Sequence, residues 1–527
     1  MKYSVFVTSS ALLILSMSLE AQDYTDAERF SRITHEGTAR SQAMGSAFGA
    51  LGADLSCISI NPAGLATYRS GDIGLTLGVD ILKSQNELMW GATTEESKAC
   101  VPFNQLGIVL ASSNDDDAVS HAFNIGYTRL ASYNRNLKLT APYSYNSMLD
   151  YFCTERGTNR FEGDLAYEAY MIEDDFVEDG ETHEFIHNVW EYPMWNSEKG
   201  EYELPLFMRE DPETGDPLID MTRYVEESGY TGRLDFTYGL NIKNIVYWGF
   251  SMGIQTMNFR RNVRHYEDYY GVPEFETSPY GFCYRQSLKQ KGAGFNFSTG
   301  VIIKPIDMLR VGVAIHSPSY MNIDDDYEAS FETFDGLEDV DYAVTSDEFH
   351  YRFHTPSRFV ASAASVIGSF AIVSFDYELQ NYSKGLFREE DGASSREMDA
   401  LNDNVKAALD RAHHFRFGAE FKPLSQLALR AGFKIQTSPY KEGIQFSDFL
   451  DRSISGGIGY RANKFYLDVT YVNRMQRSDE WMLPDTNQYD YDGNWVSSDY
   501  MYAPNEDVPS TMTLKSHRVV FSVGYRF

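Results

Sequence analysis

The chain closes on a ribbon with two unlike faces. Val519, Phe521, Val523, Tyr525 and Phe527 share one parity, and Arg518, Ser522, Gly524 and Arg526 share the other, with Val520 the one apolar exception. Side chains of a strand alternate between its faces, so one face is apolar and the other polar. A strand of a water-soluble sandwich can carry this pattern too. A chain that stops on such a strand, at an aromatic residue, instead has the habit of bacterial outer-membrane barrels, whose apolar face meets lipid and whose polar face lines a lumen.

The same alternation recurs upstream. Ile73, Leu75, Leu77 and Val79 alternate with Asp72, Gly74, Thr76 and Gly78, and Leu234, Phe236, Tyr238, Leu240 and Ile242 do the same with polar or glycine neighbours. Counting all such segments gives about fourteen strands, an even number as bacterial single-chain barrels require. The connections carry more weight than any one strand. Short ones (Ser112–Ser120, Lys243–Ile245, Pro305–Met308, Ser365–Ser369, Pro423–Gln426 and Arg461–Lys464) alternate with long ones at 81–102, 132–229, 261–287, 317–350, 382–411, 437–452 and 475–511. A barrel with both ends in the periplasm needs short inner turns and long outer loops, whereas a sandwich has no reason to alternate so strictly. The fold class expected is therefore all-β: an antiparallel transmembrane β-barrel over residues 71–527.

The amino-terminal residues agree with export. Lys2 precedes an apolar run from Val5 to Met17, followed by Ser18-Leu19-Glu20-Ala21, the layout of a signal peptide over residues 1–21. Mean hydropathy is −0.39, and long polar loops dilute it without excluding a barrel. The 36 Tyr and 34 Phe suit aromatic girdles. A net charge of −31 argues against nucleic acid as a partner, which demands a basic surface. Much of the acid lies in the long connections, at Asp174-Asp175, Glu178-Asp179, Glu210-Asp211, Asp324–Asp326, Glu338-Asp339 and Glu389–Asp391, and reads as solvated surface. No Asp-x-Asp-x-Asp-Gly loop supports a calcium site there. Met398, Leu401, Val405 and Leu409 have helical spacing, which predicts a short outer helix within Ser395–His413. Cys57, Cys100, Cys153 and Cys283 allow three disulfide pairings, and free thiols are uncommon outside the cytoplasm.

Residues 22–70 do not alternate. They hold the small-residue run Gly37–Ala53 and then Asn61-Pro62-Ala63-Gly64-Leu65. A ring of fourteen strands leaves a wide pore unless something fills it, and a segment this rich in small residues can pack closely against a wall. It is the natural lumenal plug. In these features the chain resembles the FadL family (FadL/TodX) of outer-membrane transporters for long-chain fatty acids and other hydrophobic compounds. The resemblance rests on the Gly37–Ala53 run, Asn61-Pro62-Ala63 before the first strand, the strand count and Phe527. It implies passive uptake of a hydrophobic small molecule, a hatch formed by Asn61, Pro62, Ala63 and Gly64, and lateral exit beside a kinked third strand carrying Phe123, Asn124 and Gly126. It implies further that Phe527 is the signal read by the barrel-assembly machinery. Outer-membrane lipids are then the surroundings, the state is monomeric, and neither a cofactor nor an enzyme activity is expected.

Parity on the strands near 415–435 turns Arg416, Glu420, Arg430 and Lys434 inward while Phe417, Phe421, Leu429 and Phe433 face lipid. A carboxylate entering a confined lumen needs cations, so Arg416, Arg430 and Lys434 are candidate anchors for an acidic cargo headgroup. The bland alternative is that they pair with inward Glu420, Asp376 and Glu378 or pin the plug. His183-Glu184-Phe185-Ile186-His187 matches a zinc-protease pattern that needs a helix, but it falls inside an outer connection. No metal is assigned, and His183 and His187 are kept only as weak candidate ligands. His413-His414 invites a hemin-receptor reading, yet neighbours on a strand point apart and cannot clamp one iron together. A barrel-based surface binding or adhesion protein is the other alternative, kept open by the long connection 132–229.

Overall fold

The computed structural model describes residues 23–88, 93–112, 119–144, 219–269, 281–334, 342–442, 450–481 and 509–527, with short pieces between 147 and 203. Among these residues fourteen antiparallel strands form one ring. They are β1 (Asp72–Leu88), β2 (Phe103–Ser112), β3 (Val119–Ser132), β4 (Ile219–Ile242), β5 (Val246–Tyr269), β6 (Gly281–Ile306) and β7 (Leu309–His316), then β8 (Arg358–Ile367), β9 (Ala371–Asn381), β10 (Arg411–Leu424), β11 (Leu427–Gln436), β12 (Leu450–Ala462), β13 (Phe465–Trp481) and β14 (Pro509–Arg526). Each pairs with its sequence neighbours, and β14 closes the ring on β1, with Val523 opposite Leu75 and Asp72 opposite Arg526. Closure removes the two edges that an open sheet would present, which lipid cannot solvate.

Alternation puts apolar side chains outward. Phe521, Val523, Phe417, Phe421, Leu429, Phe433, Ile454 and Leu467 are all exposed on the outer surface, while Val520, Ser522, Arg416, Glu420 and Arg430 are buried inside. Such a band has the character that a hydrocarbon environment selects. No described helix is long and apolar enough to cross a membrane. Turns on one side are tight. At Lys243-Asn244 both residues have positive φ, 53° and 56°, the geometry that suits a two-residue hairpin.

The opposite side departs from expectation. Much of what reads as long connections is strand. β4, β5 and β6 run far beyond the apolar band, and the added strands Thr93–Cys100, Arg135–Ser144, Tyr320–Phe334, Tyr342–His354 and Leu386–Glu389 extend the wall outward. Acidic outward residues hid these strands: Asp324, Asp326 and Glu328 read as a solvated loop, while their inward neighbours Met321, Ile323, Ala329 and Phe331 are apolar and buried and only Asp325 interrupts the pattern. Asp325 is accordingly a buried strand residue and not solvated loop. The outer helix is present as α3 (Arg396–Ala408), capped by the Ser395 hydroxyl, with Met398, Leu401 and Val405 buried. His183–His187 forms a strand, so the helical spacing needed for zinc-protease chemistry is missing. Cys57, Cys100 and Cys283 are free thiols, contrary to the disulfides expected, because Cys57 packs against Gly64 within the ring while Cys283 sits on the outer extension of β6. Residues 1–21 and Cys153 lie outside the described residues.

Residues 23–70 lie inside the ring. Helix α1 (Tyr24–Ser31) is followed by the short α2 (Ala39–Ala43) and two 3₁₀ turns, Leu55–Ser59 and Pro62–Thr67. Nearly every residue from Asp26 to Ala66 is buried. Phe527 seals the seam where this segment enters β1: its amide donates to Gly71 O at 3.0 Å and its ring covers Gly71.

Val523 sits in mid-strand on the outer face, so Val523→Arg should destabilise the inserted barrel by roughly 2–4 kcal/mol if it lies near the bilayer midplane. The change at inward Ser522 to Thr should be far smaller. Urea titrations of both variants in lipid vesicles measure the difference.

Candidate functional site: the seat of the N-terminal segment

Two pairs of glycines shape the seat. Gly249 on β5 stands opposite Gly300 on β6, and Gly418 on β10 stands opposite Gly432 on β11. A Cβ on Gly249 would lie 2.3 Å from the Pro62 carbonyl, one on Gly300 2.1 Å from Asn61 Oδ1, and one on Gly432 2.0 Å from the Gly45 nitrogen. Backbone therefore packs on backbone, which only glycine permits. Asn61 joins the pieces. Its Oδ1 accepts from Ala63 N at 3.1 Å, capping the Pro62–Thr67 turn, and its Nδ2 donates to Gly49 O at 2.7 Å. Pro62 and Ala63 are packed in the same place, and Gly64 lies against Cys57. Parity would have revealed these inward glycines in the sequence; the apolar periodicity drew attention away from them.

Charge fixes the rest of the segment. Arg40 of α2 meets Glu420 at 3.1 Å, and Glu420 also receives Arg430 at 2.6 Å, whose other nitrogen reaches Asp468 at 2.5 Å. His35 Nε2 lies 3.0 Å from Glu378, which also binds Arg416 at 2.7 Å and Arg358 at 3.0 Å. Glu36 accepts from Arg518 at 2.9 Å and faces Arg129 at 3.4 Å, while Arg518 bonds Asp80 at 2.6 Å. Breaking one partner of such a buried set costs several kcal/mol, roughly 3–5, because the survivor is left uncompensated.

For two of the three headgroup candidates this arrangement supplies the alternative reading, pairing with inward carboxylates. Arg416 also approaches Asp376 at 3.5 Å, so both Arg416 and Arg430 are held by two carboxylates each and are enclosed. The neighbouring inward strands supply carboxylates in register, so both guanidiniums are charge-paired without cargo, while Nε and Nη2 of Arg416 keep no hydrogen-bond partner among the described residues. Lys434 differs. It donates to Thr34 O at 2.8 Å and borders two cavities, of about 30 Å³ and about 10 Å³. These hold a water or two and no lipid chain.

The third strand is irregular, but not at Gly126. Gly126 pairs with Gly107 on one side and Asp235 on the other without interruption. Phe123 faces outward, and Asn124 lies inside with its amide donating to Ile108 O at 3.0 Å. The gap expected beside Gly126 is therefore absent in this conformation, since glycine facing glycine lets the strands approach and keep their ladder. The ladder between β2 and β3 stops instead at Gln105–Thr128, and the one between β3 and β4 shifts register at Thr231/Gly232. There Arg129, outward by alternation, is buried and turned to Glu36, and Leu130 O accepts both the amide and hydroxyl of Thr34. A bulge thus ties the third strand to the N-terminal segment.

Farther out, α1 is held by a pair of acids. Gln290 Nε2 donates to Asp26 at 3.3 Å and to Asp325 at 3.0 Å, Tyr351 donates to Asp325 at 2.8 Å, and Arg29 lies 2.5 Å from Asp26. Burial pushes both carboxyls above their ordinary range, and Asp325 is raised further by Asp26. Two apolar clusters cap this outer region. Phe30, Phe259, Phe353, Phe387 and Leu401 centre one, and Phe152, Phe282, Tyr284 and Phe331 the other.

With that geometry in view, no family model and no curated protein matches the chain. Solved structures do. The P. putida toluene transporter TodX aligns over 94% of this chain and 99% of its own at TM-score 0.51 and 12% identity. A Pseudomonas aeruginosa FadL homologue aligns over 93% and 98% at TM-score 0.50 and 12% identity. The fold is that of the FadL-type outer-membrane channels. Identity this low speaks to the fold of the barrel and leaves the residues of the seat to be argued from their own chemistry.

Gly249→Val should unseat Asn61-Pro62-Ala63 at a cost of about 1–3 kcal/mol from overpacking while the barrel still folds. Protease sensitivity within residues 23–70, compared with heat-modifiable migration of the barrel, separates the two effects. The acid pair gives a second expectation. Both folded-state carboxyls are raised, so the attachment of α1 is complete below the ordinary carboxylate range and weakens as pH rises through the raised values. Protection of the α1 amides against hydrogen exchange, taken relative to the intrinsic rate at each pH, should fall toward alkaline pH, and Asp325→Asn should flatten that dependence.

Proposed function

We propose that the chain is an outer-membrane channel for the passive entry of hydrophobic small molecules, with residues 22–70 acting as its hatch. The observation that carries this reading is the joint between hatch and third strand, Glu36–Arg129 and Thr34–Leu130. A hydrophobic cargo leaving water would gain by parting the two outer clusters, whose residues are packed and buried in this conformation. Below them the lumen is lined by buried ion pairs, and pushing an apolar molecule through would separate charges at high cost. Sideways exit into the membrane is the route that avoids this cost. The bulge at Arg129–Ala131, where the β2–β3 ladder has already ended, offers the weakest wall.

Movement of the hatch would open that wall, because Thr34 and Glu36 hold the bulge inward. Of the three headgroup candidates, Lys434 is the one left for an acidic headgroup once the hatch has moved, since a carboxylate would replace only the Thr34 carbonyl as its partner. The toluene named for TodX supports the hydrophobic class, and the resemblance to the FadL family extends the reading to long-chain fatty acids. Phe527, exposed and stacked on Tyr525, is the proposed assembly signal. Lipids of the membrane are the expected surroundings of a monomer.

Deleting Gly37–Ala66 should leave a folded barrel that passes small polar solutes, read as faster liposome swelling; unchanged swelling would remove the hatch from the proposal. Arg129→Ala should alter uptake of a hydrophobic probe such as a labelled fatty acid into vesicles while leaving swelling near the wild-type rate.

A further inference from the structure

The outer wall carries a row of cations that the channel reading does not use. Reading along the hydrogen-bonded register, Arg452 on β12 faces Met475 on β13, Met475 faces Lys515 on β14, and Lys515 faces Lys83 on β1. Arg477 stands one outward position beyond Met475. Arg452, Lys515, Lys83 and Arg477 are all exposed. Among the described residues none of the four has a carboxylate within ion-pair distance, although Asp and Glu outnumber Lys and Arg by 76 to 45 in the chain. Four unpaired cations gathered on adjacent strands of so acidic a protein repel one another, and that repulsion is relieved by an anion.

Their position says which anion. On each strand the row lies just beyond the apolar band. Lys83 is the next outward residue after Ile81, and Arg452 the next after Ile454. On β13 and β14 a bonded Tyr471–His517 pair, 2.7 Å apart, intervenes between the band and Met475 or Lys515. Lipid-facing apolar side chains, then a polar aromatic pair, then cations is the order in which a barrel wall meets acyl chains, interface and headgroups. The cations lie on the side bearing the strand extensions, which the proposed orientation makes external.

We propose that this row binds the phosphate groups of a phosphorylated lipid in the external leaflet. Lysine and arginine side chains placed side by side can each donate to a phosphate oxygen, and the acyl chains of the same molecule would lie on Ile81, Phe521 and Ile454 below. The site rests on the membrane placement of the barrel and is independent of what passes through the lumen.

The test uses the full mature chain in detergent micelles, titrated with diphosphoryl lipid A, with the same lipid dephosphorylated, and with inorganic phosphate, read by native mass spectrometry. Wild type should hold the phosphorylated lipid at least about tenfold more tightly than the dephosphorylated one. The triple change Lys83→Gln, Arg452→Gln, Lys515→Gln should abolish that preference, and the single change Lys515→Gln should reduce it if the triple variant folds poorly. Equal binding of the two lipids by wild type, or an undiminished preference in the folded variants, would overturn the proposal. Millimolar inorganic phosphate that displaces the lipid as effectively as excess lipid would also overturn it, by assigning the row to a free anion.

Discussion

Desolvated charge inside the ring is the constraint on which the rest depends. A barrel of fourteen strands encloses more space than its own side chains fill, and here the filling is a segment that brings Arg40, Glu36 and His35 into contact with wall residues of opposite or complementary character. Buried charges are tolerable only when paired with good geometry, so the segment and the wall each need the other. Ion pairs of this kind contribute little net stability against an apolar alternative. What they supply is a defined position, since a shifted segment would leave several charges uncompensated together.

Backbone contact complements charge. The glycine pairs of β5–β6 and β10–β11 bring the segment close enough for Asn61 to bridge Gly49 and Ala63, and for Met44 and Gly45 to lie directly on the wall. Close packing resists sliding, and paired charge resists tilting. The wall breaks register at the third strand, and there the segment supplies partners through Thr34 and Glu36. A change in the segment is thereby felt at the wall without any long relay. The acid pair at α1 adds a grip whose strength depends on protonation.

Legibility from sequence followed the physics of alternation. Strands bounded by lipid on one face and lumen on the other were readable, and so were the tight turns, the closure by the terminal strand and the α3 helix. Strands beyond the membrane were not, because outward Asp324, Asp326 and Glu328 made Tyr320–Phe334 read as acidic loop, although Met321, Ile323, Ala329 and Phe331 of that strand and Tyr351 and Phe353 of Tyr342–His354 are apolar or aromatic and buried within. Parity placed Arg416 and Arg430 inward and offered Glu420, Asp376 and Glu378 as partners, but it missed Asp468 and could not choose between partner and cargo. That depends on which strands are neighbours and in what register. The bulge at Arg129 was hidden for a similar reason. A single register shift leaves no mark in composition, and Gly126 was the more conspicuous residue.

The central claim is that cargo passes only when the N-terminal segment leaves its seat. Ala43 of the segment lies against Gly457 of β12, close enough that a Cβ there would sit 2.7 Å from that of Ala43. Ala43→Cys with Gly457→Cys, in a chain whose four native cysteines are changed to serine, would lock segment to wall through a disulfide after a small adjustment. The measurement is uptake of a labelled hydrophobic probe into vesicles before and after reduction. The account predicts little uptake in the oxidised state and recovery on reduction, with the single-cysteine chains unaffected. Equal uptake in both redox states, with the crosslink verified by mass, would contradict it.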